Sequence, residues 1–258
     1  MPDECDGKIL GAPDAKVVQT GDFKAERPLL LCCFPSAGVV GTIIANTIID
    51  QFDMREIAFV RSKFIPSAAV FLDGRLRHPF RIYGHEKRKL ILVTSELPIA
   101  DEGLYPISSV LLDWAATMGV KEILVVDGIP VEGIPTERKV LFAAEEEKIP
   151  ELVKDDRMEI LTKGIITGIP GSILSETLCR SMVGFALLTP AIAMIPDPEG
   201  AIQILEALNR LYKLGVDLKE LSESAEDIRK KMEEMAQQVH GMRGRAGAGQ
   251  PGYDGMYA

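Results

Sequence analysis

Short aliphatic runs alternate with stretches of helical period along most of this chain. Leu29–Phe34 reads LLLCCF, a strand apolar on both faces, and leads through the turn PSAGVVG into a helix reaching about Phe52. Unbroken apolar runs of this kind mark strands covered by other elements on both sides. Ile57–Ser62 and Ala69–Leu72 are candidate strands, and Arg81–Tyr83 and Leu90–Thr94 read as a pair joined by the polar turn Gly84–Lys89. A helix is predicted over about Tyr105–Met118, closed by Gly119 in the C-terminal position that glycine favours. Glu122–Val126 is a strand ending in Asp127-Gly128, and Lys139–Ala143 is another. The run Ile165–Ile169 precedes a glycine-bounded turn and a helix from about Ser172. Ala186–Met194 closes the sheet, and Glu199–Tyr212 is helical. Strands alternating with helices predict an α/β fold, with a mostly parallel or mixed sheet flanked by helices.

The C-terminal region has a different rhythm. Leu218, Leu221, Ala225, Ile228, Met232, Met235 and Val239 are spaced three and four alternately, a heptad seam flanked by charged residues. Such a stripe lies either on its own domain or against a sister subunit. From Gly241 the chain reads GMRGRAGAGQPGYDGMYA, six glycines in eighteen residues. Glycine loses the most backbone freedom on ordering, and no apolar run here offsets that cost. A flexible tail with an r.m.s. span of about 20–25 Å is expected. The predicted organisation is an α/β core over residues 1–215, a heptad helix over 216–240 and a Gly-rich tail over 241–258.

Composition narrows the functional classes. The chain has 258 residues, 47% of them apolar, enough for a real core, and a net charge of −9. Nucleic-acid and anionic-membrane surfaces need a clustered basic excess, so neither partner is expected. Charged residues stud the first 27 positions, and no secretory leader is predicted there. Pro28–Ile49 carries no charge, but Pro35, Ser36, Gly38 and Gly41 break it into strand, turn and helix rather than a membrane span. The protein reads as cytoplasmic. Cys5, Cys32, Cys33 and Cys179 form no C-x-x-C pair, and His78, His85 and His240 add no zinc-like spacing. Reduced structural thiols, and neither metal nor cofactor, are expected.

Two glycine turns resemble phosphate cradles, Gly38-Val-Val-Gly41 and Gly168-Ile-Pro-Gly171-Ser172, each opening a helix whose N–H groups could face an anion. Neither matches a dinucleotide fingerprint or a P-loop with its lysine, and tight packing alone also calls for glycine at such turns. Glu96, Asp101, Glu102, Asp127 and Glu132 follow strands, where α/β sheets place ligands. No histidine is placed to join them, and solvated loop carboxylates are the default. Ser36 and Ser172 lack the nucleophile setting of a hydrolase. Nothing in these residues compels an enzyme. A rival reading remains an enzyme of phosphorylase-like fold, binding a nucleoside or phosphate with Glu96 or Asp127. An oligomeric scaffold recruiting other factors is another.

The strand-turn PSAGVVG, the segment ELPIADEG, the strand end VVDGIP and the turn GIPGSIL, in this order, resemble the archaeal branch of the proteasome assembly chaperone family over about residues 28–215. The resemblance implies an α/β core similar to nucleoside phosphorylases without their catalytic apparatus. Archaeal members can end in a hydrophobic–tyrosine–any-residue motif, and Met256-Tyr257-Ala258 is similar to it position by position. In proteasome activators that motif enters pockets between α-subunits of the core particle. Carried over, Met256 supplies apolar contact, Tyr257 the aromatic anchor, and Ala258 its carboxylate for a pocket lysine. The resemblance thus implies a homo-oligomer that presents several tails to the proteasome α-ring. The heptad residues from Leu218 would then help to join subunits. The chain contains no Walker motif, so ATP-independent action is expected.

Overall fold

Four strands that are apolar on both faces form the centre of the sheet, and everything else is arranged around them. The computed structural model describes residues 9–12, 14–72, 74–135, 137–193 and 195–226. In chain order the main-sheet strands are β1 (Ile9–Ala12), β2 (Ala15–Gln19), β3 (Leu29–Cys33), β4 (Arg55–Ser62), β7 (Phe80–His85), β8 (Leu90–Ser95), β9 (Glu122–Val131), β10 (Val140–Ala144), β11 (Met158–Ile160) and β12 (Gly184–Ile192). β5 (Val70–Leu72) and β6 (Arg75–Arg77) form a separate hairpin. The helices are α1 (Val40–Gln51), α2 (Asp101–Thr117), the short α3 (Ile149–Leu152), α4 (Gly168–Cys179) and α5 (Pro198–Tyr212).

The sheet order is β1-β2-β4-β7-β8-β3-β9-β12-β10-β11. β8, β3, β9 and β12 run parallel at the centre, while the β1-β2-β4-β7 wing is antiparallel, so the sheet is mixed. Every residue of β3 and β8 is buried, as strands sandwiched between helices must be. Leu30, Cys32, Ile91, Val93, Ile123 and Val125 pack with the α2 and α4 side, including the fully buried Trp114. α1 and α5 pack together over the other face. α2 carries Asp101 and Glu102 in its first turn, where carboxylates suit the positive end of the helix. It ends as expected at Gly119: Val120 N–H donates to the Ala115 carbonyl and Gly119 N–H to that of Ala116.

Several expectations need correction. Ile165–Ile169 contains no strand: Ile165 is 90% exposed, no strand among the described residues pairs with this segment, and α4 already begins at Gly168. The strand of that region is β11, paired to β10 at the sheet edge. α2 starts four residues before Tyr105, and β9 runs past Asp127 to Val131 because β12 stays in register beside it. The first 27 residues supply β1 and β2, whose alternation is too short and too interrupted by charge to stand out in one sequence. Ala69–Leu72 does contain a strand, but it pairs within the small hairpin and leaves Phe71 exposed.

Contacts divide the chain into one unit ending at Leu218 and another beginning at Lys219. Leu218 lies in the segment following α5, and residues 219–226 are helical, with Leu221 half-buried and Ala225 buried. Ile228, Met232, Met235 and Val239 lie outside the described residues, as do Met256, Tyr257 and Ala258. No helix among the described residues is long and apolar enough to cross a membrane.

Candidate functional site

Both glycine turns named from the sequence open onto one crevice at the carboxyl ends of the central parallel strands. It encloses about 470 Å³, and its walls include Leu97, Ile99, Thr167 and Pro170. In each turn the second glycine is required by backbone packing. A Cβ at Gly41 would lie 2.4 Å from the Phe34 carbonyl oxygen, and one at Gly171 would lie 2.1 Å from that of Ile166. Each helix closely approaches the segment before it, a strand-end at Phe34 and a loop at Ile166, which accounts for the motif spacing without any ligand.

The crevice floor holds Ser36 and Asp127. Gly128 N–H donates to Asp127 Oδ1 at 2.7 Å and lies 3.3 Å from Ser36 Oγ. Burial pushes the Asp127 carboxyl above the ordinary aspartate range, against the opposing pull of the Ser36 hydroxyl and the Gly128 N–H. Among the described lining residues the charged ones are Asp127 and Asp101. A phosphate in this crevice would meet these carboxylates and, among the described lining residues, no lysine or arginine. The arrangement therefore disfavours the oxyanion reading of the glycine turns.

The remaining carboxylates named from the sequence do not assemble into a catalytic group. Glu96 pairs with the buried guanidinium of Arg81, which also donates to Tyr83 Oη at 2.8 Å and to the His78 carbonyl at 2.9 Å. Glu102 and Glu132 are exposed. Ser172 bonds Ser108 Oγ at 2.7 Å, joining α4 to α2. Behind the first glycine turn, Asp197 caps α5 by accepting from Gly200 N–H at 3.0 Å, and it pairs with Arg138 at 2.7 Å. Sequence reasoning missed Arg81 and Arg138. The one signal available was a charged residue inside an apolar run, FRIY, which calls for a buried partner.

A core of this topology has counterparts among known proteins. The sequence signature of the PAC2 family matches residues 30–236. The chain belongs to the PAC2 family. This PAC2 chain is similar to a Thermoplasma acidophilum protein of unknown function, 32% identical, with a TM-score of 0.72 over 86% of this chain and 91% of that one. It is similar to Pyrococcus furiosus PbaA, an archaeal homolog of proteasome-assembly chaperone, at 26% identity and a TM-score of 0.77, covering 89% of this chain and 95% of PbaA. Pyrococcus furiosus PbaB, an archaeal proteasome activator, shares the fold at 22% identity and a TM-score of 0.76, covering 89% and 100%. The mixed α/β architecture expected from the sequence is thus that of the PAC2 fold.

Proposed function

We propose that this PAC2 protein is a proteasome assembly chaperone-like adaptor or activator. It docks Met256, Tyr257 and Ala258 into the α-ring pockets of the proteasome core particle and acts without ATP. The observation that carries the reading is a PAC2 core, like that of PbaA, on a chain ending in a hydrophobic–tyrosine–any-residue sequence. The core serves as a platform rather than an enzyme, and the protein works in the cytoplasm. One tail buries little area and its glycines are costly to order, so a single tail binds weakly. A homo-oligomer presenting several tails raises effective concentration and can multiply avidity by roughly 10²–10⁴. The seam Leu218, Leu221, Ala225, Ile228, Met232 and Met235 joins the subunits in this reading. Because the Ala258 carboxylate pairs with a lysine, binding weakens as salt screens that attraction.

The test is co-migration with proteasome core particles in native mass measurement. Removal of Tyr257 and Ala258, or extension of the chain beyond Ala258, should abolish the complex while leaving the free oligomer intact. Equal co-migration of the full-length and shortened proteins would refute tail docking.

A further inference from the structure

The edge wing of the sheet carries a basic groove that neither the tail nor the crevice explains. Its volume is about 920 Å³, and Lys16, Arg61, Lys63 and His78 line it above an apolar floor of Val18 and Phe59. The floor exists because Lys16 and Val18 of β2 pair in register with Arg61 and Phe59 of β4, placing all four on one sheet face. The opposite face of β2, with Ala15 and Val17, is buried. His78 stacks flat on Phe59, with ring centroids 3.6 Å apart.

The charges of this groove are unbalanced. Lys63 pairs with Asp14 at 2.5 Å, and Glu56 is shared between His78 at 3.1 Å and Arg77 at 3.9 Å. Lys16 and Arg61 stand directly opposite one another across the strand pair and, among the described residues, have no carboxylate within ion-pair distance. Like charges directly opposite destabilise a sheet, so a counter-charge placed between them is favourable. The hairpin of β5 and β6 rises from the same rim, since Ala68 and His78 both line the groove. It presents Phe71 and Leu76, a cross-strand pair each about two-thirds exposed, beside Arg75 and Arg77. Basic and apolar positions therefore continue from the groove onto the hairpin.

We propose that this groove and hairpin dock an acidic, extended segment of a protein partner, with carboxylates at Lys16 and Arg61 and an apolar side chain on Val18 and Phe59. Charge complementarity selects the occupant: a cationic trough on a chain of net charge −9 attracts carboxylates locally, whereas a long polyanion would meet repulsion from the rest of the surface. The apolar floor and the Phe71–Leu76 pair favour a peptide over a nucleic-acid backbone. The chain's own acidic residues Asp3, Glu4 and Asp6 lie outside the described residues. The inference is independent of the tail-docking reading, because the groove lies on the wing of the core and uses none of residues 256–258.

The experiment measures fluorescence anisotropy of a labelled EELEE peptide on the full-length protein, with QQLQQ, KKLKK and a twelve-nucleotide oligothymidylate as comparison probes. EELEE should bind, QQLQQ and KKLKK should not, and affinity should fall steeply between about 20 and about 200 mM salt. Lys16→Glu should weaken EELEE about tenfold or more while staying folded, because it faces Arg61 with an opposite charge. The double reversal Lys16→Glu with Arg61→Glu should exchange the preference, so that KKLKK binds and EELEE does not. Four results would overturn the proposal. The first is EELEE binding that is absent, or unchanged in both variants. A second is oligothymidylate binding as tightly as EELEE with the same dependence on Lys16. Another is EELEE binding only after residues 2–7 are deleted, which would make the chain's own start the occupant. The last is loss of the oligomer in the charge-reversed variants, which would assign the groove to a second copy of this chain.

Discussion

Replacing Lys148 by methionine tests whether a buried ion pair anchors the sheet edge to its centre. Lys148 is 5% exposed, and its ammonium lies 2.6 Å from Oε2 of Glu122, itself 3% exposed at the start of β9. The ammonium also reaches Glu151 at 2.8 Å, but that carboxylate is half-exposed and can turn to water. Glu122 cannot, because its strand is held by β3 on one side and β12 on the other. Breaking a buried pair by removing one partner typically costs about 3–5 kcal/mol. Lys121 lies 3.4 Å from Glu122 Oε1 and is half-exposed, so it compensates in part and sets the expected loss at about 3 kcal/mol. For a chain of this size that corresponds to a fall in Tm of roughly 6–12 °C.

Removing both charges, as Glu122→Leu with Lys148→Met, should bring stability back to within about 1 kcal/mol of the parent, a recovery of about 2 kcal/mol over the single variant. The assay is urea unfolding followed by circular dichroism at one fixed protein concentration, since any self-association would make stability depend on concentration. pH supplies a second check. Burial alone would raise the Glu122 carboxyl, but the Lys148 ammonium holds it below the ordinary glutamate range. Its contribution is complete above that range and is lost as pH falls through the lowered folded value. Burial alone would lower Lys148, but Glu122 and Glu151 hold it above the ordinary lysine range. That contribution is complete below the ordinary range and is lost as pH rises through the raised value. Lys148→Met should flatten both limbs. A single variant within 1 kcal/mol of the parent, or a double variant as unstable as the single one, would refute the reasoning.

Two other perturbations probe the strand-end crevice. Asp127→Asn should raise Tm near pH 7: burial raises this carboxyl, so the native state prefers the proton and loses stability as pH climbs from the ordinary aspartate range through the raised folded value. A thermal scan from acid to neutral pH should be flatter for the variant, and an unchanged profile with a lower neutral Tm would sink this account. Gly41→Ala should cost about 2–4 kcal/mol in urea unfolding, because its Cβ would meet the backbone of Phe34 at 2.4 Å. Gly200→Ala is the comparison and should cost less, since its nearest neighbours are side-chain atoms at 3.3 Å; equal losses would contradict the packing argument.

The two readings of the glycine turns illustrate how far local pattern reaches. Gly38–Gly41 and Gly168–Gly171 each announce a strand-end or loop turning tightly into a helix, and both do so. Whether such a turn serves an anion depends on which charges face it. Those charges come from Asp127 and Asp101, carried on β9 and α2, elements that neither turn's own sequence specifies. The run at Ile165 failed as a strand for a related reason: apolar composition does not supply a neighbour to pair with.

The amino-acid sequence by itself determined the central strands, the helix closed by Gly119, the PAC2 relationship and the terminal Met256-Tyr257-Ala258, because burial on both faces, capping and signature spacing are written in contiguous residues. Only the tertiary structure decided that β2 and β4 bring Lys16 opposite Arg61, that Glu122 meets a lysine 26 residues away, and that two distant glycine turns share one crevice. Periodicity reports which face of an element is buried. Which side chains meet across space depends on strand order and register, and those are selected by the packing of the whole sheet.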